Sequence, residues 1–310
     1  MLLRRVAPIA LLSALVGCSV ETSPLPDDGD GVDGSDNGDG DGDGDGDGTG
    51  GSSGGPDGGA GGGGAAPVSM ARLVVQSQVE PFRGDQPDLP GDAAVEAVQQ
   101  ALAAEGFAAT VDGWFGNETA GLYSDYQVSL GYSGLGANGI PGPTSLAALG
   151  EGRFEVEDLI QIGAKTTFSG KTVNQRTKDM LTEAQAILGF NIVLSQGSYN
   201  AGGVDASAGT HDGGGAIDVS VSALSTTQRW QTVKALRTVG FAAWLRTPDQ
   251  GDWPYHIHGI AVGDTDVPIS ARNQIADYYV GKNGLASHAA DNTPDAYRVP
   301  FTWWEAYAPN

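Results

Sequence analysis

The chain contains four histidines, and three of them fall in two short segments. The first segment is Ser207-Ala208-Gly209-Thr210-His211-Asp212-Gly213-Gly214-Gly215-Ala216-Ile217-Asp218, and the second is Trp253-Pro254-Tyr255-His256-Ile257-His258. A His and an Asp in one segment and a His-x-His in the other are the makings of a three-ligand metal site. Two imidazoles with one carboxylate suit Zn²⁺, and three protein ligands leave a fourth position open to water. Water on such an ion has its pKa lowered to ~7 and becomes a nucleophile at neutral pH. On a strand, residues i and i+2 share a face, so His256 and His258 should both look into one site. One of the pair is expected to join His211 and Asp218 as a ligand. The other would stand beside the water, placed to move a proton or stabilise an oxyanion. A His-x-His alone is more often structural than not. The concentration of histidines in two segments, one holding a Gly-rich turn with little packing purpose, favours a metal, with one zinc per chain as the expected cofactor.

These residues need strands to carry them. Residues 216–221 alternate and read as a strand bearing Asp218, and 255–262 read as a strand bearing the histidine pair. Short strands are also expected over 190–195 and 241–246. Between them lie amphipathic helices. Residues 174–188 place Met180, Leu181, Ala184, Ile187 and Leu188 on one stripe, with Gly189 beyond the end. Ser225 can cap a helix that runs to Val239 and stops at Gly240, and a further helix is expected over 270–280. The aromatic tail, 299–307, should pack back on this region. Short, hairpin-compatible strands interleaved with helices favour an α+β fold with a small antiparallel sheet flanked by helices.

Upstream lies a smaller unit. A helix is expected over 92–105, with Asp92 as its N-cap and Val95, Val98 and Leu102 at helical spacing. A second should span 117–130, with Thr119, Leu122, Tyr126 and Leu130 as its core stripe. A third short helix follows over 143–149. Val98-Gln99-Gln100-Ala101-Leu102, Val111-Asp112-Gly113-Trp114-Phe115-Gly116-Asn117-Glu118-Thr119, Tyr126-Gln127 and Gly139-Ile140-Pro141-Gly142-Pro143-Thr144 together resemble the three-helix type of peptidoglycan-binding domain. That resemblance implies peptidoglycan as a partner.

The N-terminus is of another kind. Arg4 and Arg5 precede a short apolar run, 6–16, as in a secretory signal, and the run is too short to span a bilayer comfortably. Leu15-Val16-Gly17-Cys18 resembles the lipobox of bacterial lipoproteins, which implies lipidation of Cys18 and membrane attachment through that lipid. Ser19 follows, and by that resemblance favours the outer membrane if the source is Gram-negative. Cys18 is the single cysteine, so no intramolecular disulfide can form. From about 21 to 67 the chain is Gly, Asp, Ser and Pro with almost no apolar content, and it should be a disordered, extended tether. Twelve of the acids behind the formal charge of −22 lie in residues 19–66. The acidic balance argues against nucleic acid and against a polybasic membrane contact. No protein partner is inferred. The expected organisation is a signal over 1–17, a linker over 18–70, a peptidoglycan-binding-like domain over 71–150 and a zinc peptidase-like domain over 151–310.

Ser207-Ala208-Gly209-Thr210-His211, then Asp218 six residues beyond, with a small residue before Ile217-Asp218, resembles the zinc segment of the D-Ala-D-Ala carboxypeptidase metallopeptidases. His256-x-His258 resembles the second segment of the wider group that includes the lysostaphin-type endopeptidases. The resemblance covers about 174–262 and implies His211, Asp218 and His258 as zinc ligands and His256 as the catalytic histidine. It implies a secreted cell-wall hydrolase that cuts a peptide bond involving D-amino acids in peptidoglycan stems or cross-links. Two positions depart from it. Tyr255 stands where many members have a Glu base, and Ser195-Gln196-Gly197-Ser198 occupies the region of a substrate-binding Arg. Gln196 can hydrogen-bond a peptide carbonyl but cannot neutralise a terminal carboxylate, which leaves room for an endopeptidase. Gln196, Ser198 and Tyr255 are the expected substrate contacts, with Tyr199 and Trp253 as further cleft candidates and Asp252 as a surface carboxylate. The alternative is a non-catalytic peptidoglycan-binding lipoprotein with a relic peptidase fold.

Overall fold

The computed structural model describes residues 67–82 and 92–308. The expected signal, Cys18 and nearly all of the tether lie outside them. Helices and small sheets are mixed, in keeping with α+β. In chain order the elements are β1 (Val68–Ser69), α1 (Met70–Val79), α2 (Ala93–Ala104), α3 (Asn117–Ser129), α4 (Pro143–Gly150), β2 (Val156–Glu157), β3 (Lys165–Phe168), β4 (Lys171–Asn174), α5 (Gln175–Leu188), β5 (Leu194–Gln196), β6 (Ala216–Ser220), α6 (Thr226–Thr238), β7 (Phe241–Arg246), β8 (His256–Ala261), α7 (Ile269–Tyr279) and α8 (Trp304–Tyr307). Among the described residues no helix is long and apolar enough to cross a membrane.

A four-stranded sheet, ordered β5-β6-β8-β7, is antiparallel at every pairing. Its two faces have different fates because side chains alternate along each strand. Ile217 and Val219 on β6, Ala243 and Leu245 on β7 and Ile257 on β8 are buried in one cluster with Met180, Leu181 and Ala184 of α5 and Val233 and Leu236 of α6. The opposite face carries its buried apolar residues at its far end, Ala216, Ala242, Trp244 and Ile260, and its near end carries the polar residues described below. The helix caps follow local chemistry. Asn174 accepts from the Thr177 amide at 2.8 Å, and Ser225 and Gln228 cap one another reciprocally at 3.3 and 3.0 Å. Gly189 ends α5 in the left-handed region at φ 71°.

The far end of that second face belongs to a core shared with the upstream helices. Leu73 and Val74 of α1, Val98 and Leu102 of α2, Tyr123 of α3 and Leu146 of α4 lie in the same cluster as Ile260, Val267 and Ile275. Helix α1, which the sequence pattern did not single out, is fastened to the turn after β8. The Gln78 side-chain amide donates to the Asp264 carbonyl and accepts from the Gly263 amide, both at 2.8 Å. Further on, the Asn138 amide donates to the Thr265 carbonyl at 2.9 Å.

Three expectations need correction. The core stripe of α3 is Thr119, Ala120, Tyr123, Tyr126 and Gln127, whereas Leu130 is exposed. Choosing Leu130 over Gln127 turned the face, because Gln127 is buried to bond the Ile140 carbonyl and the Gly139 amide. Ile187 is exposed and does not join the α5 stripe. The strand expected over 190–195 starts only at Leu194, and Val193 points to solvent.

Candidate metal centre

Register aligns the site. Across the sheet, Gln196 lies opposite Asp218, Asp218 opposite His258 and His258 opposite Trp244. One row along, Ser220 lies opposite His256 and His256 opposite Arg246. Directly opposed residues project to the same face with Cβ atoms about 4.5–5.5 Å apart. The sheet therefore collects one carboxylate, two imidazoles and a guanidinium in two adjacent rows.

His211 reaches this face from the loop between β5 and β6. The loop is pinned by backbone bonds from the Tyr199 amide to the Gly213 carbonyl at 2.7 Å and from the Asn200 amide to the His211 carbonyl at 2.8 Å. The glycine run that follows has a packing purpose after all. A Cβ on Gly213 would lie 2.1 Å from the Asp266 carbonyl oxygen, so only glycine lets this turn press against the segment after β8. Gly215 sits at φ 77°, in the left-handed region.

The donor atoms converge on Asp218. Its Oδ1 is 3.4 Å from His211 Nε2, 2.9 Å from His258 Nδ1 and 3.8 Å from His256 Nε2. The group His211, Asp218 and His258 offers three ligand atoms all within 4.8 Å of one another, enough to hold a metal ion. Two details fit an ion here. His211 Nδ1 lies 2.9 Å from the Gly197 carbonyl, which can only accept, so Nδ1 donates there and Nε2 is the nitrogen turned toward Asp218. The 3.4 Å separation of His211 Nε2 and Asp218 Oδ1 is close to the edge of a tetrahedron with bonds of about 2.0–2.1 Å.

The charge states also fit. Burial pushes the His258 imidazolium pKa down to about 4, outweighing the attraction of Asp218, so the ring is neutral at pH 7. Burial would raise the Asp218 carboxyl, but bonding to His211 and His258 holds it well below the usual range. A neutral imidazole and an ionised carboxylate are the states a metal needs. His256 differs from the other two. Its Nδ1 donates to the Pro254 carbonyl at 2.9 Å, which turns Nε2 toward Asp218.

The site opens into a cleft of about 730 Å³, lined among others by Gln196, His211, Asp218, Arg246, Trp253, Tyr255, His256 and His258. The structure thus brings together the four expected metal and catalytic residues with Gln196 and Tyr255. Ser198 stands apart. It is buried, and its hydroxyl donates to the Ala216 carbonyl at 2.7 Å. Its role is to tie the loop to β6. Tyr199 likewise points away, its hydroxyl bonding Asp266 at 2.9 Å, whereas Trp253 does line the cleft. Asp218 is the only carboxylate among the cleft residues, and Asp252 is not one of them.

Arg246 is the cleft residue that reading the motifs overlooked. No sequence signal marked it, since its place beside the histidines follows only from the pairing of its strand with theirs. Comparison of the chain with protein-family models, curated proteins and solved structures found no match in any of the three.

Proposed function

We propose that the protein is a secreted, lipid-anchored zinc metallopeptidase of the bacterial cell wall, cutting a peptide bond involving D-amino acids in peptidoglycan. The observation that carries this reading is the division of labour around Asp218. Two histidines set a ring nitrogen within 3.4 Å of its Oδ1, and a third, His256, stands further back with Nε2 at 3.8 Å. A purely structural cluster has no need of that unspent base.

His211, Asp218 and His258 would hold zinc, which when bound supplies a nucleophilic water with a pKa near 7 and polarises a carbonyl. His256 is placed to take the proton from the attacking water and hand it to the leaving amine. With Tyr255 at the position of a Glu base and no carboxylate but Asp218 in the cleft, the imidazole is the base available among the described residues. Gln196 is placed to bond a substrate amide: its Nε2 is buried without a partner, while its Oε1 accepts from Ser207 at 3.2 Å. The helices α2, α3 and α4, with the turn laced together by Gln99, would serve as the wall-binding unit. Gln99 accepts from the Asp112 and Gly113 amides and donates to Thr119.

The test is digestion of purified sacculi by the zinc-loaded protein, with released fragments read by mass spectrometry. Turnover that disappears on His256→Ala while zinc stays bound is expected. Sacculus binding without turnover in the loaded wild type would instead favour the non-catalytic wall-binding lipoprotein.

A further inference from the structure

Nine buried side-chain polar atoms lack a hydrogen-bond partner among the described residues, and five of them belong to residues that line the cleft. They are Gln196 Nε2, Arg246 Nη2, Trp253 Nε1, His258 Nε2 and Gln274 Oε1. Buried polar groups are normally satisfied, so such a concentration marks where a ligand's own groups belong. One of these atoms carries full charge. Arg246 is 3 % exposed and enters no ion pair within 4.0 Å among the described residues. Burial lowers its pKa to about 10, which still leaves it cationic at pH 7.

The guanidinium is also held rigidly. Nη1 donates to the Asn283 carbonyl at 2.6 Å, and the carbon of the group stands 4.8 Å over the Trp244 ring. These contacts orient the fork but do not neutralise it. Asp218, Asp277 and Asp291 attract it from a distance, but none makes an ion-pair contact, and a planar, pre-organised guanidinium with a free N–H is a carboxylate receptor. It sits across the strand pair from His256, one row from the donor set.

We propose that Arg246 binds the free C-terminal carboxylate of the substrate peptide, which makes the cleft selective for chain ends over internal bonds. The proposal rests on the peptidase reading of the same site and chooses within it, toward a carboxypeptidase. The Arg missing from the region of Gln196 is thereby replaced in function from β7. Arg246 acts as a specificity-determining residue, and the bond cut would lie one residue from the carboxylate it holds.

The decisive measurement needs no catalysis. The metal-free full-length protein is titrated with three N-acylated peptides: one ending in D-Ala-D-Ala as the free acid, its C-terminal amide, and an amide that carries a D-Glu side-chain carboxylate instead. Binding is read by calorimetry and by tryptophan fluorescence, Trp253 being in the cleft. The free acid should bind at least tenfold tighter than either amide. In Arg246→Gln that ratio should fall to within twofold with zinc affinity unchanged, and Arg246→Lys should restore part of it. Equal binding of acid and simple amide by the wild type overturns the proposal without any variant. So does a ratio that survives in a folded Arg246→Gln. Tight binding of the D-Glu amide would overturn the C-terminal assignment. Selective binding of the acid with no hydrolysis by the zinc-loaded protein would sink the peptidase reading and leave the carboxylate site standing. Hydrolysis of acid and amide with equal kcat/KM and equal binding would do the reverse.

Discussion

At the scale of residues, the three cleft histidines are of two kinds, ligand and base, and each kind predicts a different phenotype. His258→Ala removes a donor and should lower zinc affinity by a hundredfold or more, measured with a competing chelator. His256→Ala should leave that affinity within a few fold and lower kcat by 10²–10⁴, the usual worth of a general base. The metal-free protein should also be acid-sensitive in a defined window. The unfolded chain takes up a proton at His258 near pH 6.5, whereas the folded protein resists until about pH 4. The stability this contributes is complete above pH 6.5 and is lost as pH falls toward 4, by about 3 kcal/mol at most for a shift of this size. Asp218 works in the same sense at lower pH, since its depressed carboxyl contributes stability that is lost only below the ordinary carboxylate range. Thermal melts of the apo protein between pH 7 and 4 should show the slope, and His258→Asn should flatten it. The donor residues were legible because metal chemistry restricts them to few types at strand spacing. Arg246 was not, because its meaning depends on what fails to bond it, and a linear pattern carries no record of that.

At the scale of elements, the sheet was legible and the loops were less so. Alternation in 216–221 and 255–262 identified the two central strands, since period two survives wherever one face is buried. The hairpin of β3 and β4 escaped notice because its residues are largely exposed or half-buried and carry little apolar alternation. The glycines of the site loop read as having little packing purpose, but the fold uses them for closeness. Gly197 shows the same principle on the other side of His211: a Cβ there would meet the Thr172 carbonyl oxygen at 2.3 Å. Gly197 also supplies the carbonyl that orients His211. Gly197→Ala should therefore destabilise the protein by about 1–3 kcal/mol, as overpacking does. It should also weaken zinc binding, because the carbonyl must move with the backbone. Chemical denaturation and metal titration of the same variant check both effects.

At the scale of the whole molecule, the wall-binding-like helices and the metal-bearing sheet were expected as separate domains joined near residue 150. A core that runs from Leu73 and Leu102 through Ile260 to Ile275 links them physically. The part of the chain from 67 to 308 should then melt in a single calorimetric transition, with equal calorimetric and van't Hoff enthalpies. Gln78→Ala, which cuts the tie between α1 and the turn after β8, should lower the midpoint without splitting the peak. Sequence pattern could not foresee this coupling, because nothing in it singles out α1 and its partners lie 185 and 186 residues away. The strand bearing His256 and His258 is an inner strand of the sheet, with β6 on one side and β7 on the other. Its amides can exchange with solvent only when the sheet itself comes apart, so they should be among the slowest to take up deuterium. Metal capture would then need no folding step, and its speed would be set by how fast an arriving ion sheds its own hydration.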